Sequence, residues 1–258
     1  MDPPEIEAAA AAFEAAAAHG EYFPEAWQDR LSVDDAYRIL LARLRLRGGG
    51  GAGARRVGWK VGLTARAIQE QFGVHEPVFG CLLAEGIKQS GHVFRRDELI
   101  EPGFENELCI VLGRDLPAGA TRDDVMVAVA RGHPAFEIIE TRGDLTRQLA
   151  LALADNAQQK AFVLGPPVGP DALPELNHVE ARLSINGVET ATGRGDAVLG
   201  HPFNSIVWLA AKLAEFGERL RAGDYIMSGS FTRQFPLGHG DRVECSFSGI
   251  GTVAASVV

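Results

Sequence analysis

The stretch Glu101-Pro-Gly-Phe-Glu105-Asn-Glu107-Leu-Cys-Ile-Val-Leu-Gly113 decides how the remainder of the chain is read. From Phe104 to Leu112 it is short, apolar and bounded by glycines, which marks a strand rather than a helix. Side chains alternate across a strand, so Glu105 and Glu107 share one face with Cys109 and Val111, about 6–7 Å apart along the backbone. Phe104, Asn106, Leu108, Ile110 and Leu112 take the other face. Both faces read as mostly buried. Two carboxylates in such a place repel and are poorly solvated. Either they emerge at a wet strand end, or a cation or a shared proton compensates them. A hard divalent metal is the simplest compensation, because it gathers several oxygen ligands at one point.

A second acidic strand is expected in Pro134-Ala-Phe-Glu137-Ile-Ile-Glu140-Thr-Arg142. Glu137 shares a face with Ala135 and Ile139 and is the candidate third buried carboxylate. Glu140 points the other way, near the polar end, and reads as the partner of an arginine. Upstream, Val57-Gly-Trp-Lys60-Val-Gly-Leu-Thr64 sets a lysine in an apolar run. Such a lysine either snorkels to the surface or, with glycines allowing close approach, is held to bind a carboxylate or move protons.

Composition narrows the classes. With 258 residues, 46% hydrophobic and 23% charged, a soluble globular protein with a real core is expected. A formal charge of -9 provides no electrostatic footprint for nucleic acid or an anionic membrane. Cys81, Cys109 and Cys245 are far apart and odd in number, which argues for a reduced, cytoplasmic protein and against disulfides or a zinc-thiolate site. The acidic N-terminus lacks the features of a signal peptide, and there is no apolar run of about 18 residues to span a membrane.

Residues 4–18 are alanine-rich and expected to be helical, and Ser32-Val-Asp-Asp reads as the cap of a second helix running to about Arg47. The glycine run 48–54 is the expected boundary between a helical region, 1–50, and a main domain, 51–258. Strands are expected on both sides of the Glu101-Pro-Gly turn, a helix from Thr121 to near Gly132, and another over about 144–154. Asp155-Asn156 closes that helix and by default is a turn. Asn186-Gly187 marks a hairpin, and 202–215 an amphipathic helix closed by Gly217. Many short strands with few helices between them predict a mixed, β-rich α+β domain. No G-x-G-x-x-G opens a helix, so no dinucleotide or P-loop site is expected.

Taken together, the segments Gly58-Trp-Lys60-Val-Gly-Leu-Thr64, Glu105-Asn-Glu107, Glu137-Ile-Ile-Glu-Thr-Arg142, Ala154-Asp-Asn-Ala157 and Ser228-Gly-Ser-Phe-Thr232 resemble the 2-keto-4-pentenoate hydratase group of the fumarylacetoacetate hydrolase superfamily. The resemblance runs in order from about residue 5 to the C-terminus. It implies a mixed β-roll or barrel (fumarylacetoacetase-like) core behind the helical N-terminal region. It also implies Mg²⁺ or Mn²⁺ held by Glu105, Glu107 and Glu137, Lys60 as the active-site lysine, and Asp155, Ser228, Ser230 and Thr232 around the pocket. The implied substrate is a short 2-hydroxy-2,4-dienoate or its 2-oxo tautomer, from aromatic meta-cleavage catabolism, and the implied assembly is a homo-oligomer. Hydratases of the group tend to carry an aspartate after the proline that falls at Pro77, where this chain has Val78. That departure bears on hydration and leaves the metal site untouched; Glu76 stands next door as a substitute, and Asp155 or Glu76 is the expected carrier of water or a proton. The rival readings are an oxalocrotonate-type decarboxylase, a C–C hydrolase or tautomerase, and a non-catalytic binding protein that keeps the pocket.

Overall fold

β-Branched and aromatic residues crowd the segments around the glutamates, and these become the two longest strands, β5 (Pro102–Leu112) and β6 (Val129–Glu140). They pair antiparallel with Glu105 opposite Glu137. Around them lies an eight-stranded sheet that adds β1 (Arg56–Gly62), β2 (Val78–Leu83), β3 (Ile87–Gln89), β7 (Gln159–Leu164), β10 (Tyr225–Ser230) and the short β11 (Phe235–Pro236). Its order is β2-β1-β10-β5-β6-β7-β3, with β11 paired to β5. β1 runs parallel to β10 and can approach it closely because residue 58 is glycine: a Cβ there would sit 1.9 Å from the Tyr225 carbonyl oxygen. The computed structural model describes residues 1–48, 55–71 and 73–258, so the expected boundary near residue 50 lies outside the described residues.

A second, five-stranded sheet is built from β4 (His92–Phe94), β8 (Glu180–Ile185), β9 (Val188–Arg194), β12 (Arg242–Phe247) and β13 (Gly251–Val257). The Asn186-Gly187 turn joins β8 to β9 with both residues at positive φ, the geometry a two-residue hairpin demands. Around the Glu101-Pro-Gly turn the two strands form as expected, but in different sheets: β4 pairs parallel with β13.

Six α-helices are described: α1 (Pro3–Ala18), α2 (Val33–Gly48), α3 (Arg66–Gln71), α4 (Arg122–Ala128), α5 (Leu149–Ala154) and α6 (Pro202–Glu215). Asp2 and Glu5 form a capping box on α1, and the Asp35 N–H donates to Ser32 Oγ at 3.1 Å at the start of α2. α4 stops at Ala128, earlier than expected, because β6 begins at Val129 and pairs with β5 from there. α5 is likewise shorter than its sequence pattern, the segment 144–148 being turn.

α1 buries Ile6, Ala9, Ala10 and Phe13, and α2 packs between α1 and α5. Tyr37 of α2 stacks on Phe79 of β2, centroids 4.0 Å apart, a pairing worth about 0.5–1.5 kcal/mol beyond area burial. The helical N-terminal region therefore rests on the sheet that carries the glutamates. None of the described helices is long and apolar enough to cross a membrane.

Candidate active site

Three carboxylates converge where β5 and β6 run side by side. Glu105 and Glu137 are cross-strand partners, and Glu107 comes next on the same face of β5. One oxygen from each lies within 4.8 Å of the other two, and among the described residues this is the only cluster of its kind. Glu107 and Glu137 are fully buried, whereas Glu105 keeps some exposure. Lys60, on β1, is 5% exposed and brings Nζ to 3.4 Å from Glu137 Oε1, an ion pair without hydrogen-bond geometry. β1 and β6 are three strand intervals apart, roughly 14 Å in a flat sheet. Their side chains meet because the twisted sheet curls this face inward.

The backbone contributes one further group. β10 carries an irregularity between Met227 and Ser230, and there the Gly229 N–H donates to Glu107 Oε2 at 2.8 Å. Gly229 has φ +113, and a Cβ would lie 2.6 Å from Thr64 Cγ2, so this donor depends on glycine. Glu107 Oε1 and both oxygens of Glu137 remain buried with no hydrogen-bond partner. Burial, with the charge of Glu137, pushes Glu105 up to about 7. Burial, with Glu137 and Glu105, drives Glu107 well above the usual carboxylate range, and burial also raises Glu137 despite Lys60 beside it. Burial works against the Lys60 ammonium, yet Glu137, Glu105 and Glu107 together hold it above its ordinary value.

Three acids facing one ammonium lack a positive charge. The orphaned donors are all carboxylate oxygens, which suits a hard divalent cation of the Mg²⁺ or Mn²⁺ kind and not a zinc-thiolate centre. The residues present fit such an ion.

A cavity of about 660 Å³ opens beside this cluster and is reached by Lys60, Glu105, Ser230 and Thr232. The hydroxyl loop is held from behind by Asn106, which lies on the opposite face of β5 from the glutamates. Thr232 Oγ1 donates to Asn106 Oδ1 at 2.6 Å, Ser230 Oγ approaches the Asn106 carbonyl at 3.4 Å, and Asn106 Nδ2 donates to Cys245 Sγ at 3.4 Å. Ser228 Oγ is buried without a partner and stands outside the cavity lining.

Asp155 and Glu76 are not brought into the cavity lining. Asp155 is buried, with Oδ2 accepting from Arg142 Nε at 2.5 Å and Oδ1 from Arg43 Nη1 at 3.1 Å. Both of its oxygens are committed to guanidiniums. Glu76 is exposed and accepts from Trp208 Nε1 at 3.1 Å and Lys212 Nζ at 2.8 Å, so it tethers its loop to α6. Val78, by contrast, does line the cavity. His133 Nδ1 donates to the Gly165 carbonyl at 2.8 Å and its Nε2 accepts from Arg131 Nε at 3.2 Å, away from the glutamates.

The segment after Asp155 is more than the simple turn its residues suggest. Asn156, Ala157 and Gln158 stand at φ +60, +48 and +60 in succession. A left-handed residue with a Cβ costs roughly 1–2 kcal/mol, so such a run persists only where its surroundings enforce it. Arg142 Nη2 donates to the Asp155 carbonyl at 2.8 Å and Arg43 Nη1 to the Ala154 carbonyl at 2.6 Å, pinning the entry to the turn. Asn156 then grips β2: its Oδ1 accepts from the Cys81 N–H at 2.7 Å and its Nδ2 donates to the Cys81 carbonyl at 3.0 Å. Ala157 and Gln158 reach the cavity.

Comparison with known proteins places these features in context. The family profile described as Fumarylacetoacetate (FAA) hydrolase C-terminal matches residues 61–258. The chain is 38% identical over 226 residues to a 2-keto-4-pentenoate hydratase of Paraburkholderia xenovorans (strain LB400), covering 86% of this chain and 83% of that one. It is 33% identical over 237 residues to a 2-oxo-hept-4-ene-1,7-dioate hydratase of Escherichia coli, covering 88% of each. Among solved structures, the 4-oxalocrotonate decarboxylase from Pseudomonas putida G7, complexed with magnesium and adipate, superimposes with a TM-score of 0.92 at 30% identity, covering 100% of this chain and 99% of that one.

Proposed function

The chain belongs to the fumarylacetoacetate hydrolase family, and on that premise we propose that it is a metal-dependent hydratase of 2-hydroxy-2,4-dienoates in aromatic meta-cleavage catabolism. The observation that carries this reading is the set of buried glutamate oxygens left without partners on Glu107 and Glu137, gathered with Glu105, which alone of the three lines the cavity. Glu105, Glu107 and Glu137 would hold Mg²⁺ or Mn²⁺, and when bound the cation supplies Lewis-acid stabilisation of negative charge developing on the 2-oxo acid head. Lys60, kept as an ammonium by the glutamates, binds the substrate carboxylate and has a proton to deliver from Nζ. Gly229 fixes Glu107 in place, and Ser230 and Thr232, braced on Asn106, offer hydroxyls to the substrate's polar atoms.

For a five-carbon substrate the chemistry balances in two steps. A proton goes to C5 of the dienol as the C2 hydroxyl proton leaves, giving the conjugated 2-oxo acid. Water then adds its oxygen to C4 and a proton to C3, giving a 4-hydroxy-2-oxo acid. Substrate filling the cavity keeps other water from competing. Asp155 acts through the turn it anchors rather than on the substrate. The catalytic unit spans residues 51–258 with the 1–50 helical region packed against it, and the protein works in the cytoplasm as a homo-oligomer.

Mixing the purified protein with Mg²⁺ and 2-hydroxypenta-2,4-dienoate tests the reading. The dienoate absorbance should decay with 4-hydroxy-2-oxopentanoate appearing, and chelation should stop it. A protein that leaves the dienoate unchanged with Mg²⁺ and with Mn²⁺ would remove the hydratase assignment. One observation favours a second reading, decarboxylation of an oxalocrotonate-type acid at the same centre: Val78, not an aspartate, lines the cavity. Release of CO₂ from that substrate without hydration of the dienoate would decide for it.

A further inference from the structure

The cavity beside the glutamates is lined by two chemically different sets of residues. One is polar: Lys60, Glu105, Ser230 and Thr232, with Val78 packed beside Lys60; the other is an aliphatic wall of Ile139, Leu145, Leu149, Leu153 and Ala157. The wall begins close to the acids, since Ile139 comes two residues after Glu137 on the same face of β6, about 7 Å along the strand. Leu149 and Leu153, one helical turn apart on α5, line the same space, and Leu153 is fully buried.

Positive charge is scarce at that end. Among the described lining residues the cations are Lys60, committed to the glutamates, and Arg233. Arg233 sits exposed at the rim, its guanidinium 4.0 Å over the Phe235 ring and Nη1 donating to the Gln234 carbonyl. Arg142, beside the lining residue Thr141, sends Nε and Nη2 to Asp155 and Nη1 to Glu140, and so has no direction left toward the cavity. Asp144, also in the lining, adds a negative charge. A second carboxylate placed against this wall would lose its water and gain no buried counter-charge, whereas each methylene of an alkyl tail would gain from burial.

Resting on the hydratase reading above, the geometry points to a substrate with one carboxylate and an alkyl extension beyond C5, with Ile139, Leu149 and Leu153 as the specificity-determining residues that take the tail. The five-carbon dienoate is still bound and turned over through its head group, but leaves the wall uncovered. The diacid is poorer for want of a buried cation, Arg233 being exposed at the rim.

Calorimetry of the full chain with Mg²⁺ and three unreactive saturated acids tests this without turnover: 2-oxopentanoate, 2-oxoheptanoate and 2-oxoheptanedioate. The heptanoate should bind about tenfold tighter than the pentanoate, and the diacid no tighter than the pentanoate. Leu149→Lys, at a half-buried position, should invert heptanoate and diacid, while Leu149→Met keeps their order. Should the lysine variant not fold, Arg233→Ala serves instead: diacid affinity stays as it was if the assignment holds, and its selective loss overturns the assignment. Equal binding of all three acids, or tightest binding of the diacid to the wild type, also overturns the tail assignment while leaving the hydratase reading standing. Failure of every acid to bind with Mg²⁺ removes the head-group site, and both readings go with it.

Discussion

Two buried groups of acids, one around Glu137 and one around Glu140, meet along β6 and are treated in opposite ways. At Glu140 and Asp155 every carboxylate oxygen has a partner. Glu140 accepts from Arg142 Nη1 at 3.0 Å and from the Ile100 N–H at 3.1 Å, with Lys160 Nζ also at 3.1 Å, and Asp155 is held by Arg142 and Arg43. At Glu137, three residues away on β6, both oxygens are orphaned, and Glu107 keeps only the Gly229 donor. The fold has the means to neutralise buried acid and uses them at Glu140 and Asp155, as also at Asp35 and Asp224, but not at Glu107 and Glu137. Uncompensated burial at the other is a cost that makes sense where an external cation completes the group.

That contrast can be broken most decisively at Glu107. Glu107→Gln should abolish metal-dependent turnover, yet melt no lower than the wild type when both are free of metal, because it removes a poorly solvated carboxylate; an active variant would refute the metal assignment. Lys60→Met should cost about 10²–10⁴-fold in kcat, the range typical of a lost proton-transfer group; a wild-type rate would return Lys60 to a structural role. In the compensated group the sign reverses. Arg142→Ala, which leaves Asp155 and Glu140 buried and short of partners, should lower unfolding free energy by about 3–5 kcal/mol in denaturant titrations. A change within error would show that the network is dispensable.

A pH series sharpens the comparison further. Glu105 is raised from 4.5 to about 7 in the metal-free fold. Between those values the native state holds a proton that the unfolded chain has released, so this group's contribution to stability is present below 4.5 and is lost as pH rises toward about 7. With a cation in place the carboxylates stay ionised and the loss disappears. The rise in Tm caused by saturating Mg²⁺ should therefore be larger at neutral than at acidic pH, and a rise that shrinks with pH would contradict it. Gly229→Ala should have the smallest effect, roughly 1–3 kcal/mol of overpacking against Thr64, read as a lower Tm with weakened Mg²⁺ binding.

Much of the fold and the site was legible in the chain itself, for a physical reason. Strand alternation has a period of two, so Glu105, Glu107 and Glu137 could be assigned to faces from spacing alone, and the apolar partners of Asn106 to the other. The Glu140–Arg142 pair was legible because it is local. Positions fixed by contacts distant in sequence were not. Nothing near Asp155 announces that Arg43, on a helix over a hundred residues earlier, claims its carboxylate. Nothing near Asn106 announces Thr232 and Cys245. Glu76 read as a possible stand-in for a missing acid because it lies beside Val78 in the chain; the backbone turns there, and only Val78 faces inward. Strand β6 began early because pairing to β5 outweighed the helical pattern before Gly132.

The amide of Asn156 has a consequence away from the chemistry. β2 is the outermost strand of the larger sheet, and an unpaired strand margin invites another polypeptide to add to it. By meeting both the N–H and the carbonyl of Cys81, that one side chain imitates a neighbouring strand and closes the margin at its centre. The left-handed turn thus does for the strand margin what a paired strand would do, leaving no free backbone N–H or carbonyl at Cys81 for another chain to meet.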